Sequence, residues 1–299
     1  MSNTMRPTTF DDIQGQDDVV ERLRIMSTGC KNSGQVMPHV LIDGPPGLGK
    51  TTISSAIANE IGTNMYTVNA ASVRASKNLM PYLMNLELGS ILFIDEIHRL
   101  PKLVEEFLYP VMEDFKIDML VENQPDSIDI PQFTMVGATT SGGSLSQPFY
   151  DRFTIKEHLS FYDVDVLAKL AGSNADRLGL KLSDEEMLSI AKRSKGTPRI
   201  LNARLQWYKN YTSYYPEVND IDKIFTSQGI DKNGFDANDV AYINVLKKNR
   251  CNPLGLKSLS GMTGIAMETI ENSIEPYMVR MGYVTRTKRG RILGSTQGI

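Results

Sequence analysis

The chain has 299 residues, 41% of them hydrophobic, and a formal net charge of −3, so it can bury a substantial core across two or three domains and is not basic as a whole, as general nucleic-acid binding would suggest. No apolar run approaches a membrane span and residues 1–10 are polar, which excludes a spanning helix and a signal-peptide core and sets the expectation of a cytoplasmic protein with no membrane partner. Cys30 and Cys251 have no C-x-x-C spacing, and His39, His98 and His158 are scattered, so disulfide and zinc frameworks are not indicated and the thiols read as reduced bystanders.

Residues 1–38 read as a lead-in containing Arg6-Pro7, Phe10 and Gly15-Gln16, followed by one helix. Asp11 or Asp12 is the expected cap, with Val19, Val20, Leu23 and Met26 at helical spacing before Gly29. The stretch from His39 to Thr52 then fits G-x-x-x-x-G-K-[ST] at Gly44, Gly49, Lys50 and Thr51. Val40, Leu41 and Ile42 supply a strand before it, and Ile53, Ile57 and Ile61 an amphipathic helix after it, closed by Gly62. This is the context of a phosphate cradle. Glycines let backbone N–H groups converge on a polyphosphate at a helix N-terminus, Lys50 is expected to reach the β and γ phosphates, and Thr51 to offer its hydroxyl to Mg²⁺. ATP and Mg²⁺ are the expected cofactors.

A second strand is expected over 65–68, then a polar helix-like region to Leu88. Ile91-Leu92-Phe93-Ile94 reads as a parallel strand buried on both faces, and it ends in Asp95-Glu96. Carboxyl ends of such strands are where open α/β sheets bind ligands. Asp95 is therefore expected to hold Mg²⁺ through water and Glu96 to orient and polarise the attacking water, the plainer alternative being a capping pair at a helix start. A further buried strand over 133–138 ends in Thr139-Thr140, hydroxyls suited to a γ-phosphate or a lytic water, and Asp151-Arg152-Phe153 follows. Strands alternating with helices to this point define an α/β domain.

From Leu159 the pattern turns helical, over 164–178, 183–193 and 198–208. Thr197 caps the third helix and Pro198 opens it, which puts Arg199 in its first turn. A cation there opposes the helix dipole, so Arg199 either meets an anion or is a surface arginine. Residues 229–235 read as a linker, followed by helical patterns over 237–248, 256–262 and 268–281 and by a β-hairpin from Tyr283 to Leu293. After Glu275 there is no acidic residue, whereas Arg280, Arg286, Lys288, Arg289 and Arg291 follow closely. These are the parts of a winged helix-turn-helix or of a small helical adaptor with a solvated hairpin. No internal repeat or low-complexity tract is present.

The segments Gly44 to Thr52, Ile94-Asp95-Glu96-Ile97-His98-Arg99-Leu100, Tyr109 to Phe115, Gly137-Ala138-Thr139-Thr140, Gly196-Thr197-Pro198-Arg199, Glu275-Pro276-Tyr277 and Arg286 to Arg291 together resemble the RuvB family. That family comprises AAA+ motors that drive Holliday junction branch migration. The resemblance runs from Arg6-Pro7 to Arg291 in the family's order, and its Glu-Pro-Tyr and Arg-Gly-Arg end is the most specific part. It implies an α/β AAA+ P-loop NTPase domain, a parallel sheet with flanking helices, over 1–157; a small helical lid domain over 158–232; and a C-terminal winged helix over 233–299. It implies that Met5 and Arg6 flank the adenine, and that Gly44, Gly47, Gly49, Lys50, Thr51 and Thr52 hold the phosphates. Tyr162 and Glu113-Asp114-Phe115 lie near the nucleotide. It makes Thr139 sensor 1, Arg199 sensor 2 and Arg152 an arginine finger that serves the neighbouring subunit. Family members act as hexameric rings on duplex DNA at four-way junctions, with the junction-recognising partner RuvA. Arg286 and Arg291 match DNA-touching positions of the family's wing, to which Lys288 and Arg289 are added by proximity.

The sequence also departs from the family. Pro148-Phe149-Tyr150 stands where the family has Pro-Leu-Arg, Ser141 where a basic residue is common, and Met267-Glu268 where an arginine often precedes Thr269. The stretch 117–133, the family's RuvA-docking hairpin, is short and carries Glu122, Asp126 and Asp129 with no Arg or Lys. The leading reading is an ATP-driven translocase of duplex DNA that moves four-way junctions. The alternatives are an AAA+ clamp or helicase loader, and a nucleotide-gated DNA-binding scaffold.

Overall fold

The structure, a computed structural model, describes residues 6–121, 124–249 and 252–295, with side chains omitted over 119–121 and 124–125. By contacts it divides into two compact units: Arg6–Gly44 with Leu48–Ser160, and Pro45–Gly47 with the chain from Phe161 onward.

The first unit is built on a five-stranded parallel sheet of β1 (Val40–Asp43), β2 (Met65–Asn69), β3 (Ile91–Asp95), β6 (Thr134–Thr139) and β7 (Ile155–His158), in the order β2-β3-β6-β1-β7. Ile91, Leu92, Phe93 and Ile94 are fully buried, the outcome their unbroken apolar run demands when helices cover a parallel sheet. Register aligns Ile94 with Gly137 and Asp43 with Thr139, so the carboxyl ends of β3, β6 and β1 lie level. Helix α2 (Lys50–Ile61) follows the P-loop, buries Ile53, Ala56 and Ile57, and stops at left-handed Gly62.

Two local expectations are corrected. Helix α1 (Asp17–Ser33) starts from Gln16, whereas Asp11 and Asp12 form a short 3₁₀ turn in which the Asp12 carboxylate accepts from the Thr8 and Thr9 backbones. Residues 70–88 hold two 3₁₀ turns and the single-turn helix α3 (Met80–Leu83) in place of a polar helix. Asn69 Oδ1 accepts from Ala71 N–H and Asn78 Oδ1 from Arg74 and Ala75 N–H, local bonds that compete with a helix. Helix α4 (Lys102–Glu113) then leads into the hairpin β4 (Lys116–Val121) and β5 (Gln124–Asp129), and α5 (Gln147–Asp151) precedes β7. Lys116 lies 3.7 Å from Asp129, an exposed pair that offsets part of the hairpin's acidity; Glu122 falls outside the described residues.

The second unit begins with α6 (Val164–Leu178), α7 (Asp184–Lys192), α8 (Pro198–Tyr214) and α9 (Ile221–Thr226). Ser183 and Glu186 form a capping box on α7, and Thr197 caps α8, which runs six residues beyond its expected end at Tyr208. Residues 229–235 are a packed strap, with Ile230 and Phe235 buried and a Cβ at Gly234 only 2.7 Å from the Arg193 backbone. Next come α10 (Ala237–Lys248), α11 (Leu256–Thr263), α12 (Met267–Thr269), a π turn (Ile270–Ile274), α13 (Glu275–Arg280) and the hairpin β8 (Val284–Thr287) and β9 (Gly290–Leu293). Phe235, Tyr242, Leu246, Leu259, Ile270, Met278 and Val284 form the core beneath that hairpin. A buried ion pair from Lys195 to Asp239, with Asp236 at 3.7 Å, ties the loop before α8 to α10. Among the described residues no helix is long and apolar enough to cross a membrane.

His39, at the foot of β1, is a buried polar fastener. Its Nδ1 accepts the Met135 N–H at 2.9 Å and its Nε2 meets Met112 O at 3.0 Å, an arrangement that requires the neutral Nε2–H tautomer. Burial holds its pKa below the ordinary histidine value. The unfolded chain therefore binds a proton that the folded chain refuses, and stability should fall as pH drops below about 6.5, at a slope of at most about 1.4 kcal/mol per pH unit. Urea midpoints between pH 7.5 and 5.5 check this: His39→Gln should flatten the acid-side slope, and an unchanged slope would assign it to other groups.

Candidate active site

The P-loop's shape follows from what crowds it. Gly44 has φ +148°, donates its N–H to Thr139 O at 3.2 Å, and leaves no room for a Cβ, which would stand 2.6 Å from Leu159 O. Gly49 is left-handed and opens α2. Lys50 is buried, with Nζ on Gly44 O at 2.6 Å, while Thr51 and Thr52 follow half-buried in the first turn. Gly47 clusters with the second unit: Arg199 N–H donates to Gly47 O at 3.3 Å, and a Cβ on Gly47 would come within 2.9 Å of Arg199 Cβ. Tyr162, buried, donates its N–H to Gly196 O in the loop before α8. Arg6 is exposed, and Met5 lies outside the described residues.

At the end of β3, Asp95 Oδ1 accepts the Glu96 N–H at 3.0 Å, and Glu96 has φ +51°, a left-handed conformation uncommon outside glycine. The turn aims the Glu96 carboxylate at two neighbours: Thr140 Oγ1 at 3.3 Å and His98 Nδ1 at 3.4 Å. His98 Nδ1 also meets Thr139 Oγ1 at 3.0 Å.

The two threonines at this strand end are held differently. Thr139 is fully buried and its hydroxyl is committed to His98 and to the Ser141 N–H, whereas Thr140 carries the hydroxyl that touches Glu96. Successive residues of a strand point to opposite faces, so choosing between adjacent threonines requires knowing which face holds the carboxylate. His98 was visible in the motif but carried no role there.

Glu113 is brought to Arg152, whose Nη2 lies 2.9 Å from its Oε2, and Asp114 is exposed beside it. Phe115, at φ +54°, packs edge-on against Phe133 with His39 nearby, so its ring belongs to the sheet's core. In the wing, Glu275 is fully buried, and it accepts from Tyr242 OH at 2.9 Å, Arg286 Nε at 2.7 Å and Arg291 Nε at 2.9 Å. Arg291, expected at a DNA contact, has a side chain 15% exposed that holds both Glu275 and Glu271. Arg286 keeps a 48% exposed side chain, and Lys288 and Arg289 are exposed at the tip with no ion pair among the described residues.

A phosphate loop after β1, paired carboxylates at the end of β3 across the intervening β6, and a hydroxyl beside them define a P-loop ATPase of the AAA+ class. The sequence matches the Holliday junction DNA helicase RuvB P-loop domain over residues 5–159, the RuvB AAA lid domain over 162–236 and the RuvB C-terminal winged helix domain over 232–298. It is 38% identical over 298 residues to the Holliday junction branch migration complex subunit RuvB of Rhodopirellula baltica, covering 97% of this chain and 81% of that one. The subunit of the same name from Nitratiruptor is 39% identical over 297 residues, covering 97% and 89%. The Thermotoga maritima RuvB Holliday junction branch migration motor superposes with a TM-score of 0.89 at 36% identity over 98% of this chain and 96% of that one, and a variant of it scores 0.90. The chain belongs to the RuvB family and is an ATPase.

The two threonines can be separated by experiment. Thr140→Val should lower the ATPase kcat by roughly tenfold or more with little change in melting temperature, because it removes the hydroxyl that meets the Glu96 carboxylate. Thr139→Val should lower stability by about 1–3 kcal/mol, since it strands the part-buried Ser141 N–H and the His98 ring nitrogen. Steady-state turnover and thermal melts of both variants read out the difference, and the reverse pattern would keep sensor 1 at Thr139.

Proposed function

We propose that this chain is an ATP-driven motor that translocates duplex DNA and moves four-way junctions, working in the cytoplasm as a homohexameric ring with a RuvA-type partner docked on the β4–β5 hairpin. The observation that carries the ATPase half is the Glu96 carboxylate held by Thr140 and His98 at the strand end beside Lys50. Glu96 accepts the proton of the attacking water, Thr140 fixes the orientation of that carboxylate, and Lys50 neutralises the phosphates. Thr51 and Asp95 offer hard oxygen donors, and among the described residues no group of three His, Cys, Asp or Glu could hold a metal alone. Thr51 and Asp95 would hold Mg²⁺ together with phosphate oxygens, and the ion would supply positive charge against the charge of the phosphates. Arg6, Tyr162 and Arg199 contact the nucleotide in this reading, and Arg152 reaches a neighbour's ATP, an arrangement worth roughly 10³ to 10⁵ in rate.

The wing supplies the DNA half. Lys288, Arg289 and the exposed part of Arg286 meet phosphate, and Arg291 holds the hairpin through Glu275. Lys288→Ala with Arg289→Ala should weaken duplex binding at every sequence and reduce the salt slope by about one per lost contact, without moving the melting temperature. Arg291→Ala should instead destabilise the fold by about 3–5 kcal/mol, because a buried carboxylate loses a charged partner. Salt titrations of DNA binding paired with melts check both, and unchanged binding by the tip variant would move the DNA surface elsewhere.

The motor itself is tested with a synthetic four-way junction, purified protein and ATP, with and without a RuvA-type protein. Junction dissociation should be lost in Glu96→Gln while ATP binding persists. Hydrolysis with DNA present but no junction movement in either arm would favour a loader that places a protein on DNA.

A further inference from the structure

Helix α4 presents Glu105, Tyr109 and Glu113 at four-residue spacing, hence along one face, and each meets the short helix α5. Glu105, 5% exposed, accepts from Ser146 Oγ at 2.6 Å, and the Tyr109 hydroxyl lies 3.1 Å from the same oxygen. Ser146 occupies the N-cap of α5 yet makes no capping bond with its side chain; its hydroxyl is turned to α4 instead. At the other end of α5, the Arg152 guanidinium lies 4.0 Å from the Tyr109 ring centroid, with Nη2 on Glu113 at 2.9 Å and Nη1 on Pro148 O at 2.7 Å. Both ends of α5 are thus fastened to one helix face. A long arginine side chain otherwise samples many rotamers, and ordering it beforehand removes that entropy from the transition state.

We propose that Tyr109 and Glu113 are positioning residues for the arginine finger: the ring is a platform that fixes the plane of the guanidinium, and the carboxylate fixes its rotation, so that Arg152 is presented ready to a neighbouring subunit's phosphates. This rests on Arg152 acting in trans. The stack is a cation–π contact whose loss leaves the charge in place but its orientation undetermined. Tyr109 also bonds the residue that starts α5, so one side chain sets both the helix and the group at its end.

Mixed oligomers test the idea. One protomer carries Arg152→Ala and an intact ATP site; the other carries Glu96→Gln and an intact finger. If the finger acts in trans, the mixture hydrolyses ATP although each parent alone does not. Tyr109→Leu placed on the finger donor should lower the kcat of the mixture by about tenfold with KM for ATP unchanged. The same substitution on the Arg152→Ala protomer, whose finger is already gone, should change nothing. Tyr109→Phe on the finger donor should stay within about twofold of the unmodified mixture, because the ring remains. Glu113→Gln, on a side chain 56% exposed and so no risk to the core, should lower kcat in the same one-sided manner. Equal loss from either protomer would make Tyr109 merely structural and overturn the proposal, as would unchanged or increased turnover from the finger donor. A silent unmodified mixture would overturn the trans finger itself, and the proposal with it.

Discussion

A strand buried on both faces can carry a polar side chain only where it leaves the sheet, and the chemistry of the first unit is arranged by that constraint. β1, β3 and β6 admit almost nothing but apolar residues along their length, so Gly44, Asp95, Glu96 and Thr140 all fall at carboxyl ends that the parallel register brings level. The P-loop inherits its path from the same edge. Gly44 donates a bond to the end of β6 and is pressed against the chain leaving β7, so both neighbours of β1 shape the loop that follows it.

Charge is handled differently in the two units. Around Glu96 the carboxylate is partly exposed and is met by a hydroxyl and a ring nitrogen. Glu275 is sealed from solvent and surrounded by a phenol and two guanidinium groups. The same side-chain type is left open to solvent in one place and is a rivet in the other, and the surroundings make the difference. Burial together with that carboxylate also drives the Tyr242 phenol pKa above its ordinary value, so the network keeps its proton at any physiological pH.

The sequence made the sheet, the P-loop, the paired carboxylates and most helices legible, because each rests on a periodicity or on a residue type with one physical use. α6 spans the expected 164–178, and β3 is as buried as its apolar run implies. Features that depend on where a side chain points were harder to read. Adjacent threonines look alike in a string, yet only Thr140 faces Glu96. Arg286 and Arg291 look like equal cations, yet one is nearly buried against an acid far back in the chain. The polar stretch before Leu88 carried helix-compatible residues, and local asparagine bonds decided against a helix. Glu113 sits in a recognisable motif, but its pairing with Arg152 joins residues that no local pattern connects.

The strap at 229–235 and the ion pair from Lys195 to Asp239 have a mechanical consequence. A glycine pressed on the Arg193 backbone, two buried apolar anchors and a sealed cation–carboxylate contact leave little compliance where a flexible tether would ordinarily lie. Helix α8, which carries Arg199 in its first turn, the loop before it and the helix that underpins the basic hairpin then behave as one stiff lever. A displacement at the Arg199 end is delivered to the hairpin as travel, and little of it is dissipated as bending in between.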